Sequence, residues 1–105
     1  MYIIVFITCE TVEEARKIAD ALLSKKLAAC INILPQIESL YWWKGKIEEA
    51  KEALLIVKSK TLLLNKIIDE VKLIHSYETP EIIALPIIGG YENYIKWINS
   101  EAQPE

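Results

Sequence analysis

A chain of 105 residues is one domain by length, and its formal charge of −3 leaves no basic stripe to neutralise nucleic-acid phosphates. No apolar run reaches the roughly 18 to 20 residues of a membrane span, and residues 2–7 lack the basic flank and small-residue cleavage site of a leader. Cys9 and Cys30 are too few for a disulfide scaffold and lack Cys-x-x-Cys spacing, so two free thiols in a cytoplasmic protein are expected.

Residues 2–8 form an unbroken β-branched and aromatic run, the pattern of a central strand buried on both faces. Thr11-Val12-Glu13-Glu14 reads as a capping box, in which the Thr11 hydroxyl accepts from the Glu14 N–H and the Glu14 carboxylate reaches back to the Thr11 N–H. The helix so opened carries Val12, Ala15, Ile18, Ala19, Leu22 and Leu23 on one apolar stripe, and Lys25 and Lys26 suit its negative end. Residues 28–34 are a second apolar strand. Beyond Pro35 it resumes as Ile37-Glu38-Ser39-Leu40-Tyr41-Trp42-Trp43 and reaches a Lys44-Gly45 turn, where glycine supplies a positive φ. The chain returns through residues 46–49, and residues 52–59 make the third strand, with Leu54, Ile56 and Lys58 on one face and Ala53, Leu55 and Val57 on the other.

Thr61 is positioned to cap a second helix whose buried stripe is Leu64, Ile67, Ile68, Val71 and Ile74. A loop with the only histidine leads into a fourth strand, residues 81–88; Gly89-Gly90 breaks it, and residues 91–99 form a short last helix. The order βαββαβ plus a C-terminal helix predicts a single α+β domain over residues 1–105, a ferredoxin-like sandwich with helices on one face of an antiparallel sheet.

In such a sandwich the uncovered face is wet, and its strands should alternate apolar with polar. Apart from Asn32, residues 2–7, 28–34, 53–57 and 82–88 are apolar on both sides, so other copies of the chain are expected to cover the second face. Held as one strand, residues 28–43 would span roughly 50 Å at about 3.3 Å per residue, against a domain diameter of roughly 33 Å. The ribbon must bend or protrude. Leu40, Tyr41, Trp42 and Trp43 at its tip are too much apolar surface to leave in water, so Leu40, Trp42 and Trp43 are expected to pack on a neighbouring subunit by strand addition. The alternative folds both tryptophans back onto their own core.

Chemistry concentrates in Ile74-His75-Ser76-Tyr77-Glu78-Thr79-Pro80-Glu81. His75, Glu78 and Glu81 would stack on one helix face, but Pro80 disfavours the α region at Thr79, so an ordered loop is predicted. Imidazole and thiolate suit copper or zinc and carboxylates suit harder cations, which makes His75, Glu78, Glu81 and Cys9 the candidate ligands for a divalent metal ion. Alternatively, His75 only caps the second helix, where the dipole favours an imidazolium. Lys58 follows Leu54 and Ile56 on one strand face, and a buried ammonium there needs Glu78, Glu81 or a bound anion. Gly89-Gly90 lacks the flanks of a phosphate-cradling loop and no nucleophile is spaced with a base, so no catalysis is predicted. RNA-recognition modules share the βαββαβ order, but this third strand lacks their stacking aromatics.

Four further stretches carry a resemblance: Lys26-Leu27-Ala28-Ala29-Cys30-Ile31-Asn32, Tyr41-Trp42-Trp43-Lys44-Gly45-Lys46-Ile47-Glu48, Leu55-Ile56-Val57-Lys58-Ser59 and Tyr94-Ile95-Lys96-Trp97-Ile98. With the histidine loop, which has Ser76 where proline is usual, they resemble the CutA1 family of divalent-cation tolerance proteins over nearly the whole chain. The resemblance implies a homotrimer shaped like the PII signalling proteins, a role in the response to metal ions, weak binding of copper or another divalent ion, and no obligatory cofactor. In copper-associated bacterial members a cysteine and a second histidine stand where this chain has Ile7 and Ile74. The PII-like shape implies an alternative, a small anion in clefts between subunits, lined by Lys58, Trp43, Tyr41 and Tyr77.

Overall fold

Burial alternates where composition does not. In the computed structural model, which describes residues 1–105, Ile3, Val5 and Ile7 of β1 (Tyr2–Cys9) are buried while Tyr2, Ile4 and Phe6 between them are half-buried. The two faces of one apolar strand therefore meet different surroundings. Helix α1 (Val12–Ser24), strands β2 (Cys30–Trp43) and β3 (Lys46–Lys60), helix α2 (Leu64–Ile74), strand β4 (Ile82–Pro86) and helix α3 (Glu92–Glu101) follow in order. The sheet runs β2-β3-β1-β4 with every neighbouring pair antiparallel, the split βαβ arrangement expected from the element order. None of the helices is long and apolar enough to cross a membrane.

Ala15, Ile18, Ala19 and Leu22 of α1 and Ile67 and Val71 of α2 close over Val5, Ile7, Ala53, Leu55 and Val57, forming one core on one face. The opposite face is covered only at one end, where α3 buries Ile98 and meets Ile4 and Lys58. Elsewhere it stays open: Ile83 and Leu85, which pair with Phe6 and Ile4, are exposed by 52% and 42%.

The hairpin protrudes. β2 and β3 pair from Cys30 opposite Lys58 to Trp43 opposite Lys46, with one register shift between Leu34 and Ile37, where Pro35 has no N–H to give the ladder. The molecule measures 44 × 26 × 22 Å in consequence. Lys44 and Gly45 both take positive φ, 51° and 80°, the signature of a two-residue type I′ turn. Leu40, Trp42 and Trp43 are exposed at the tip, Trp42 by 72%, so the tryptophans do not fold back onto their own domain.

Two caps differ from expectation. The Thr11 hydroxyl accepts from the Glu14 N–H at 3.1 Å, but the Glu14 carboxylate turns to Ser76, so the capping box is half built. Thr61 does not cap α2 with its side chain; it opens a 3₁₀ turn, Thr61–Leu63, and its carbonyl accepts from the Leu64 N–H. That tighter turn satisfies the donor a hydroxyl would otherwise take.

Thr11→Ala is expected to cost about 1 kcal/mol of stability and Leu55→Ala, at a site with no exposed surface, about 2–5 kcal/mol, both read from urea unfolding midpoints. Equal losses would contradict the placement of Leu55 at the centre of the core.

Candidate functional site

The loop between α2 and β4 is tied to three elements. His75 ends α2, its N–H on the Val71 carbonyl at 2.8 Å, and its side chain is wholly buried. Nε2 lies 2.7 Å from the Thr8 carbonyl, which can only accept, so Nε2 carries the proton. The Nδ1 lone pair then receives the Tyr77 N–H at 3.0 Å. Glu14 of α1 accepts from the Ser76 N–H and hydroxyl at 2.7 and 2.9 Å. Finally, the Tyr77 hydroxyl donates at 2.8 Å to Glu52 of β3, a carboxylate only 8% exposed.

These contacts decide what the loop can do chemically. Both imidazole nitrogens are occupied, leaving no lone pair for a metal ion unless the loop detaches. Cys9 is buried with its S–H on the Thr11 carbonyl at 3.4 Å, and burial, with the Glu14 charge second, pushes its thiol up from an ordinary 9.0 to about 11. A thiol so held is a poor metal ligand near neutral pH, because the thiolate is the ligand. Burial, then the Glu52 charge, raises the Glu81 carboxyl; burial, then the hydrogen bond to Glu52, raises the Tyr77 hydroxyl. Glu78 and Glu81 are the predicted ligands left at the surface. Within one chain no three His, Cys, Asp or Glu side chains gather into a metal-holding group, so His75, Glu78, Glu81 and Cys9 are not brought together.

Lys58 belongs to a separate place. Its ammonium donates to Asn32 Oδ1 and lies 3.8 Å from Cys30 Sγ, its cross-strand neighbour, instead of pairing with Glu78 or Glu81. The register explains this: Lys58 faces Ile4 across β1, whereas Glu81 precedes Ile82, which faces Ile7 near the other end. Tyr94 of α3 sits against Cys30, and its hydroxyl is raised by burial first and by Cys30 second. Trp43 and Tyr41 lie at the hairpin tip, opposite Lys46 and Glu48, so one chain does not unite Lys58, Trp43, Tyr41 and Tyr77.

Two of these partners carry no signal of their role in the local sequence: Glu14 reads as part of its own helix cap, and nothing local distinguishes Glu52 from the other carboxylates of a charged ribbon. Asn32 did carry a signal, as the one polar residue in an apolar strand.

Tyr77→Phe removes the phenolic donor of a buried carboxylate and is expected to cost about 1.5–3 kcal/mol in urea unfolding. Between pH 9 and 11 the unfolded chain has released the Cys9 proton while the folded chain keeps it, so stability should fall as pH rises through that window. A denaturation midpoint flat from pH 9 to 11 would contradict the burial of this thiol.

Comparison with known proteins agrees with the geometry. The family model described as CutA1 divalent ion tolerance protein matches residues 3–101. The divalent-cation tolerance protein CutA of Archaeoglobus fulgidus is 47% identical over 103 residues, covering 98% of this chain and 100% of that protein. The chloroplastic CutA 1 of rice is 44% identical over 101 residues, 96% of this chain, which spans 57% of the rice protein's length. Among solved structures, that of the periplasmic divalent cation tolerance protein CutA from Archaeoglobus fulgidus superposes with a TM-score of 0.95 at 46% identity, over 98% of this chain and 100% of that one. On the match over residues 3–101 and these identities, the chain belongs to the CutA1 divalent ion tolerance family.

Proposed function

We propose that this chain acts in divalent-cation tolerance as a homotrimer that takes metal ions, copper included, weakly and through its exposed carboxylates. The observation that carries this reading is the family match over residues 3–101, with relatives named for divalent-cation tolerance. The exposed Glu78 and Glu81 suit weak coordination, since carboxylates prefer harder, loosely held cations and no preformed set of three ligands surrounds them. His75 serves as a tether, because its nitrogens are bonded to Thr8 and Tyr77.

Support for assembly is physical. A sheet face left partly bare at Ile83 and Leu85, and a hairpin tip with Leu40, Trp42 and Trp43 in solvent, are more apolar surface than a lone domain keeps exposed. Burying them against two other copies removes the tryptophans from water and closes the edge strands. Two unpaired cysteines suit a reducing compartment, and we place the protein in the cytoplasm. A second reading, a PII-like module for a small anion, is favoured by one observation: Lys58 is half-buried with no carboxylate partner.

Native mass spectrometry with and without added copper or zinc tests the assignment. The expected spectrum is three chains with a few weakly held ions, fewer in Glu78→Gln/Glu81→Gln and unchanged in His75→Gln. A monomer, or uptake lost only with His75, would refute it. Trp43→Ala should shift the assembly toward monomers at low concentration, and an unchanged trimer would remove the tip from the interface.

A further inference from the structure

We propose that the hollow between α3 and the open face of the sheet binds a small monocarboxylate with an apolar body, its carboxylate on Lys58. The inference rests on the second reading above and adds the ligand class and the place.

The hollow has a volume of about 390 Å³, within the range of small-molecule sites. Ile4 of β1 and Lys58 of β3 form its floor, Tyr94, Ile95 and Ile98 of α3 its wall, and the Gly89-Gly90 connection its rim. One charge, the Lys58 ammonium, lines an otherwise mainly apolar surface.

Lys58 is short of partners. Its ammonium has three donors, of which Asn32 and Cys30 receive two, and both partners are neutral acceptors. By contrast, Lys25 and Lys96 reach Glu70 and Glu92 at 2.9 and 3.0 Å, although both lysines lie at the surface. A half-buried ammonium without an anion, beside a cavity, is the arrangement a carboxylate completes. The N-terminus of α3 adds to this potential, because Tyr91 lines the same hollow and provides no side-chain cap for the first turn.

The chemistry selects within anions. A phosphate dianion carries two charges against one ammonium and is best matched by a bidentate guanidinium, and the only arginine, Arg16, lies in α1 on the other side of the sheet. One ammonium balances one carboxylate. The isoleucines then offer contact to a hydrocarbon or aromatic body.

The test is a 15N-HSQC titration of the assembled protein with phenylacetate, with 2-phenylethanol as its neutral analogue, and with inorganic phosphate. Phenylacetate is expected to shift the Gly89, Gly90 and Tyr94 amides saturably, while the alcohol and phosphate leave them in place. Lys58→Met, at unchanged oligomeric mass, should weaken phenylacetate by at least about tenfold and Lys58→Arg should largely restore it, as loss of a charge-assisted hydrogen bond implies. Equal shifts with phosphate would overturn the apolar-carboxylate assignment and leave the anion reading standing. Equal shifts with the alcohol would remove Lys58 from recognition. No shift with either anion, or a carboxylate of a neighbouring copy found on Lys58, would overturn both.

Discussion

The register of β3 is the constraint on which the rest of the molecule depends. The strand pairs with β2 from Lys46 to Lys58 and with β1 from Ala53 to Lys60, so one alignment sets both neighbours. A slip of one residue would turn Leu55 and Val57 to the open face and put Ile56 and Lys58 under the helices. The same alignment sets Lys58 opposite Cys30 and Ile4, Ala53 opposite Cys9, and Glu52 within reach of the Tyr77 hydroxyl. Core, loop tether and hollow are consequences of a single pairing.

The histidine loop is built as a closure. Its contacts run to β1 through Thr8, to α1 through Glu14 and to β3 through Glu52, so three elements distant in sequence converge on three consecutive residues, 75–77. Placing an imidazole out of water with both nitrogens bonded meets the requirement that buried polar groups find partners. It also withdraws the ring from coordination. Membership of a divalent ion tolerance family and a metal-ligating histidine are thereby separable ideas, and Glu78 and Glu81, which follow Tyr77, stay at the surface.

The two faces of the sheet have different fates. Small and branched side chains under α1 and α2 make a closed core, whereas the second face receives only the short α3. Where α3 ends its coverage a hollow forms around Lys58, and where it never reaches, Ile83 and Leu85 remain open. Both features come from ten residues of helix lying across a sheet too long for them.

Element order, strand pairing and helix stripes were legible in the sequence because they rest on local periodicity and turn chemistry. The Lys44-Gly45 turn, the alternation of β3 and the β-branched run of β1 need no distant partner to be read. The partners of polar side chains were not legible in this way. His75 read as a ligand or a cap, Glu14 as half of a capping box and Lys58 as an ion pair, and each assignment was chemically sound for its own neighbourhood. Folding placed Thr8, Tyr77, Ser76, Asn32 and Cys30 beside them, and a hydrogen bond goes to whatever acceptor or donor lies within about 3 Å, regardless of separation along the chain. Sequence alone therefore determined the scaffold and its family, and tertiary structure decided which of its polar groups are spent on the fold and which remain free.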